Sequence, residues 1–81
     1  LDSKQIGETV RRLRVDCGMT TTVLAKRVGI SQAQVSRLEC GQQGFRSGTI
    51  VRIAEVLHTK PWYFFMTPAE QKKAGKKAFN A

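Results

Sequence analysis

Gln32 and Arg37 place an amide and a guanidinium, both suited to directional hydrogen bonding, five residues apart. They lie within the stretch TTVLAKRVGISQAQVSRLECG, residues 21–41. A glutamine amide carries a donor and an acceptor side by side and can pair with N6 and N7 of adenine. An arginine guanidinium can do the same with O6 and N7 of guanine. Ala33 between them is small and apolar, suited to a thymine methyl or to close approach, and Ser36 is short enough to meet a phosphate or a base. These are groups for binding, not for catalysis. His58 is the sole histidine and has no nucleophile or carboxylate at motif spacing, and no phosphate-cradling glycine loop is present, so no catalytic residue is expected. Cys17 and Cys40 lack C-x-x-C spacing and have no histidine nearby to complete a ligand set. Two reduced, cytoplasmic thiols are expected, with no metal and no cofactor.

Side chains that read an edge need a rigid element beneath them, and the same stretch provides one. Ala25 is small enough for a second helix to pass close over the first. Gly29 can take the positive φ that ends one helix and starts the next at a steep angle. Leu24, Val28, Ile30, Val35 and Leu38 supply apolar positions on either side of that turn. This is the spacing of a helix-turn-helix, whose second helix commonly lies in the DNA major groove. Ser31 followed by Gln34 forms a capping box, so the recognition helix should start at Gln32 and run over about 32–40, closing at Gly41. The same box leaves open whether Gln34 reads bases or stays against the helix end.

Further helices are expected around this pair. Asp2 or Ser3 can cap a first helix with Ile6, Val10 and Leu13 on one stripe, ended by Gly18. Thr20 is placed to cap the second helix. Ser47 is a plausible cap for a fourth with Ile50, Ile53, Ala54 and Leu57 inward, and Pro61 suits the first turn of a fifth holding Trp62, Tyr63, Phe64 and Phe65. Thr67-Pro68-Ala69-Glu70 is another capping box and should open a C-terminal helix that weakens at Gly75. The expected architecture is all-α: a compact five-helix domain over residues 1–65, with a short, basic helical extension over 66–81. Of the aromatic run, Phe65 and one of Trp62 or Phe64 should be core. The remainder, drawn from Trp62, Tyr63 and Phe64, forms an apolar patch suited, with the C-terminal helix, to a two-fold dimer contact. Arg11, Arg12, Lys26 and Arg27 are expected to be solvated.

The chain has 81 residues, with 14 Lys and Arg against 6 Asp and Glu, a formal net charge of +8. That length admits one small domain. That charge favours a polyanion, through field attraction and release of condensed counterions, without choosing among polyanions. No segment is long or apolar enough to span a membrane. Lys72, Lys73, Lys76 and Lys77 make one basic face if the tail is helical. The chain begins with Leu1 rather than Met, consistent with a piece of something longer.

From IGETVRRLR near Ile6, through ISQAQVSRLECG and IVRIAEVL, to PWYFF ending at Phe65, the chain resembles the Xre/Cro-like, phage-repressor-type helix-turn-helix family. The resemblance implies double-stranded DNA as partner and base reading at Gln32, Ala33 and Arg37, with Ser36 beside them. Phosphate contacts are expected from Thr21, Thr22, Gln42, Gln43, Arg46, Ser47 and Thr49, which hold register without reading sequence. Many relatives carry Gln at the position of Thr21, so the shorter Thr reaches less far. Cys40 stands where relatives often place a polar residue, at the cost of a phosphate contact. Arg14 and Glu39 match a pair that links the first helix to the third as a structural bridge. The implied function is a cytoplasmic transcriptional regulator, a repressor binding an inverted repeat as a homodimer. Two other readings are a helix-turn-helix that docks an unknown protein partner, and the DNA-binding half of a longer regulator or antitoxin.

Overall fold

The computed structural model describes residues 2–74, which form five α-helices and one 3-10 helix, with no strand among them. Helix α1 (Ser3–Asp16) opens with a capping box: Gln5 N donates to Asp2 Oδ1 at 2.9 Å, and Asp2 N to Gln5 Oε1 at 3.0 Å. Its stripe of Ile6, Val10 and Leu13 is buried. Helix α2 (Thr21–Val28) is capped by Thr20 Oγ1, which accepts from Val23 N at 3.1 Å. It ends at Gly29 with φ +89°, a left-handed conformation that a Cβ would oppose. Helix α3 (Gln32–Glu39) carries the expected box, Gln34 N to Ser31 Oγ at 3.1 Å and Ser31 N to Gln34 Oε1 at 2.9 Å. These caps satisfy amides that a helix start cannot satisfy internally.

Helix α4 (Ser47–Val56) begins one residue differently from expectation. Arg46 is the cap residue and makes no side-chain cap bond, while Ser47 is already helical. Once Ser47 takes helical dihedrals, its hydroxyl no longer faces the free amides of the first turn. Past Leu57, His58 takes φ +58° and Thr59 N returns to Ala54 O at 2.9 Å, which closes the helix without a glycine.

The fifth element is a 3-10 helix, Pro61–Phe65, rather than an α-helix. Its pitch keeps Phe64 in the core, as one of the two alternatives had it, but overturns the rest of the expected sorting of the aromatics. At three residues per turn, positions i and i+3 eclipse. Trp62 and Phe65 therefore share one face and are 48% and 57% exposed, whereas Tyr63 and Phe64 are 5% and 1% exposed. Phe65 is not core, and Tyr63 and Phe64 have no surface to offer a second copy. The Tyr63 and Phe64 rings instead meet edge-on at 6.3 Å in the interior.

The core is built from Val10, Leu24, Val35, Ile53, Leu57 and Phe64 together with their neighbours. Helix α3 packs on α2 and α1, and α2 also packs on α4. The α1–α3 approach is close because residue 7 is glycine. A Cβ there would meet the Leu38 carbonyl and come within 2.8 Å of the Glu39 carbonyl oxygen.

Helix α5 (Pro68–Ala74) starts with the Thr67/Glu70 box, Thr67 N donating to Glu70 Oε1 at 2.8 Å. That bond, with a second from the Thr67 hydroxyl to the carboxylate, holds the Glu70 carboxyl below its usual range, while Glu70 N donates in return to Thr67 Oγ1 at 3.3 Å. Gln71 is buried and donates from Nε2 to Thr9 Oγ1 and to the Tyr63 and Met66 carbonyls, tying α5 to α1. Arg12, expected to be solvated, donates from Nη2 to both Tyr63 Oη and Gln71 Oε1 at 3.1 Å. Lys72 and Lys73 are exposed on α5, while Gly75, Lys76 and Lys77 lie outside the described residues.

Candidate nucleic-acid interface

Helix α3 turns Val35, Leu38 and Glu39 inward, leaving Gln32, Ala33 and Arg37 exposed and Ser36 half-buried. The four residues expected to read bases thus share the outer side of one helix. The capping box settles the ambiguity of Gln34: its side-chain oxygen is bonded to the Ser31 amide, so it serves the helix end. Gln32 does more than project outward. Its Nε2 donates to Thr21 Oγ1 and to Ser36 Oγ, each at 3.1 Å. The short Thr21 side chain therefore holds the first residue of α3 from the first residue of α2. Arg37 donates from Nε to Gln43 Oε1 at 3.2 Å.

The orientation of α3 on the scaffold depends on Arg14. Its guanidinium meets the Glu39 carboxylate twice, Nε to Oε2 at 2.7 Å and Nη2 to Oε1 at 3.1 Å, with the two side chains 12% and 6% exposed. This is the planar, two-point pairing in which a guanidinium matches a carboxylate in direction as well as charge. A third bond, Nη1 to the Met19 carbonyl at 2.8 Å, extends the link to the turn before α2. One side chain thereby ties α1, the α1–α2 turn and the end of α3.

The residues expected to meet phosphates flank α3. On one side Gln43, Arg46 and Thr49 line a shallow depression with Ile30, Gln34 and Leu38. On the other, Thr21 and Ser36 share a depression with Arg11 and Cys40. Thr22, Gln42 and Ser47 are exposed at the edges. Arg11 was not expected here. It reaches this groove because it precedes Arg14 by nearly one turn of α1, a spacing visible in the sequence once α1 is known to cross α3. Arg11, Lys26, Arg27 and Arg46 are all exposed, consistent with the net charge of +8.

Cys17 and Cys40 are free and exposed, and among the described residues no cluster of His, Cys, Asp or Glu could hold a metal ion. None of the described helices is long and apolar enough to cross a membrane.

The sequence profile of a helix-turn-helix domain family matches residues 5–61, which include α1 through α4 almost entirely. Among solved structures, the restriction-modification controller protein C.AhdI from Aeromonas hydrophila is 27% identical over 78% of this chain and 96% of its own, with a TM-score of 0.75. The hypothetical transcription factor NHTF from Neisseria is 22% identical over 88% of this chain and 82% of its own, with a TM-score of 0.82. The clp gene regulator ClgR from Corynebacterium glutamicum is 23% identical over 95% and 84%, with a TM-score of 0.80. At those identities the last two speak to the fold alone. Among curated proteins none matches. The match across residues 5–61, the regulator fold, and an α3 held by Arg14 with polar side chains outward together assign the chain to the helix-turn-helix domain family, of the Xre/Cro-like kind.

Proposed function

We propose that the chain binds double-stranded DNA sequence-specifically and acts as a transcriptional regulator, a repressor that reads an inverted repeat as a homodimer. The observation that carries this reading is the outer side of α3, where Gln32, Ala33 and Arg37 are exposed on a helix fixed by the largely buried Arg14–Glu39 bridge. In this reading α3 enters the major groove. Gln32 faces an adenine, Arg37 a guanine and Ala33 a thymine methyl, with Ser36 supporting Gln32. Thr21, Thr22, Gln42, Arg46, Ser47 and Thr49 hold the phosphates, joined by Arg11. Residues 1–65 form the DNA-binding domain and 66–81 a basic extension. No catalytic role is assigned, and the compartment is the cytoplasm.

The eclipsed Trp62 and Phe65 form the dimer contact, replacing the Trp62–Tyr63–Phe64 patch. Half-sites then lie about one helical turn, 10–10.5 bp, apart. Selection from a randomised duplex pool at physiological salt tests the whole reading. An enriched inverted repeat supports it, and recovery of unselected DNA with steep salt sensitivity reduces it to backbone binding. The same exposed pair favours a second reading, a module that docks another protein. A partner whose binding survives Arg37→Ala, in a chain without sequence-selective DNA affinity, would establish that alternative.

A further inference from the structure

Gln43 lies outside α3, in the loop that leads to α4, yet its side chain returns to the helix. Its Oε1 sits 3.2 Å from Arg37 Nε. A guanidinium has only donors, so the atom facing it must be the amide oxygen, and the orientation of the Gln43 amide follows from chemistry alone. Arg37 is exposed, whereas Gln43 is half-buried and lines the depression between α3 and α4 with Ile30, Leu38 and Thr49. The more buried partner therefore anchors the more exposed one.

The consequence is directional. With Nε–H bonded to Gln43, the remaining donors of Arg37 are the two terminal amino groups, Nη1 and Nη2. A guanidinium held this way can present that pair end-on to O6 and N7 of guanine. The side-on approach through Nε is closed to it. The acceptor is neutral, so it orients Arg37 without cancelling the positive charge that attracts phosphate. A carboxylate in its place would orient and neutralise at once.

We infer that Gln43 is a positioning residue that fixes the Arg37 guanidinium for end-on recognition of a guanine, a specificity element located outside the recognition helix. This rests on the DNA-binding reading above. It also replaces the expectation that Gln43 serves chiefly as a phosphate contact.

The test compares Gln43→Met and Gln43→Glu with the parent, on the selected site, on that site with its Arg37-facing guanine replaced, and on random duplex, across a salt series. Methionine keeps the length and removes the acceptor. The preference for guanine over its replacement should fall roughly two- to tenfold, the range expected from losing the ordering of one long side chain. The salt slope should remain that of the parent. Glutamate restores the acceptor, so the preference should return while affinity for all duplexes falls. Equal losses on selected and random DNA with Gln43→Met would make Gln43 a phosphate contact and overturn the inference, with the salt slope unchanged because a neutral amide releases no counterion. An unchanged preference would overturn it too, as would a Gln43→Glu variant that fails to restore it. A second readout needs no DNA: the Arg37 Nε–H resonance of the free protein should be ordered in the parent and mobile in Gln43→Met. If the parent selects no site, the DNA-binding reading fails. The tether then stands on that resonance, and a mobile Arg37 Nε–H in the parent sinks it.

Discussion

Replacing Glu39 by alanine removes both carboxylate oxygens from the Arg14 guanidinium and leaves a cation whose side chain is only 12% exposed. Arg14 keeps one bond, Nη1 to the Met19 carbonyl at 2.8 Å, and loses the two at 2.7 and 3.1 Å. Breaking one side of a buried pair costs about 3–5 kcal/mol, because the stranded charge keeps its desolvation penalty. The surviving carbonyl bond puts Glu39→Ala toward the lower end, about 3 kcal/mol. For a domain this small, each kcal/mol moves the melting midpoint by about 4–8 °C, so Tm should fall by roughly 12–24 °C. Arg14→Ala strands the more deeply buried carboxylate, 6% exposed, and should cost at least as much. Replacing both residues with methionine should cost less than either single change, since no buried charge remains. Thermal melts followed by circular dichroism, arranged as a double-mutant cycle, measure all of these. Single variants melting within a degree or two of the parent, or a double variant showing simple additivity, would refute the argument that this bridge holds α3 in place.

Other outcomes follow from single contacts. Gly7→Ala must push α1 away from the Leu38 and Glu39 carbonyls and should destabilise by about 1–3 kcal/mol, an overpacking cost; urea unfolding within 0.5 kcal/mol of the parent would contradict it. Arg37→Ala should cost about 1–3 kcal/mol on the selected site and relax preference at one base pair, whereas Arg46→Ala should weaken all duplexes alike and lower the salt slope by about one. Competition binding across a salt series separates the two. Because the Thr67 amide and hydroxyl hold the Glu70 carboxyl below its usual range, the cap's contribution is present above that range and lost as pH falls through the depressed value. A Glu70 midpoint by NMR no lower than that of glutamate in an unstructured peptide would remove the cap as its cause.

Features set within three or four residues were legible in the sequence. The Ser31/Gln34 and Thr67/Glu70 boxes, the Thr20 cap and the turn at Gly29 each close over one stretch of chain, and each stands as expected. The apolar spacing of α1 to α4 likewise marked the buried faces. Arg14 and Glu39 were paired in advance only by resemblance, since nothing local joins positions 25 apart in the chain. Gly7 carried no warning at all. Its need for a missing Cβ exists only once α3 crosses α1.

Tertiary structure decided the rest. The aromatic run contains four rings in succession, and composition cannot say which two turn inward. A 3-10 turn starting at Pro61, rather than an α-helical one, eclipses Trp62 with Phe65 and sends Tyr63 and Phe64 into the core. Arg12 was expected to be solvated and is exposed, and Gln71 carried no expectation. They become a linked pair because α5 folds back over α1 and buries the Gln71 amide, which must then find partners. Gln43 and Thr21 were marked for phosphate by their place in the motif, but each also holds a side chain of α3. The sequence by itself determined where α1 to α5 lie and which residues α3 displays, because caps and periodicity act along the chain. Only the tertiary structure decided how those displayed residues are held, because their supports come from other elements and become neighbours only on folding.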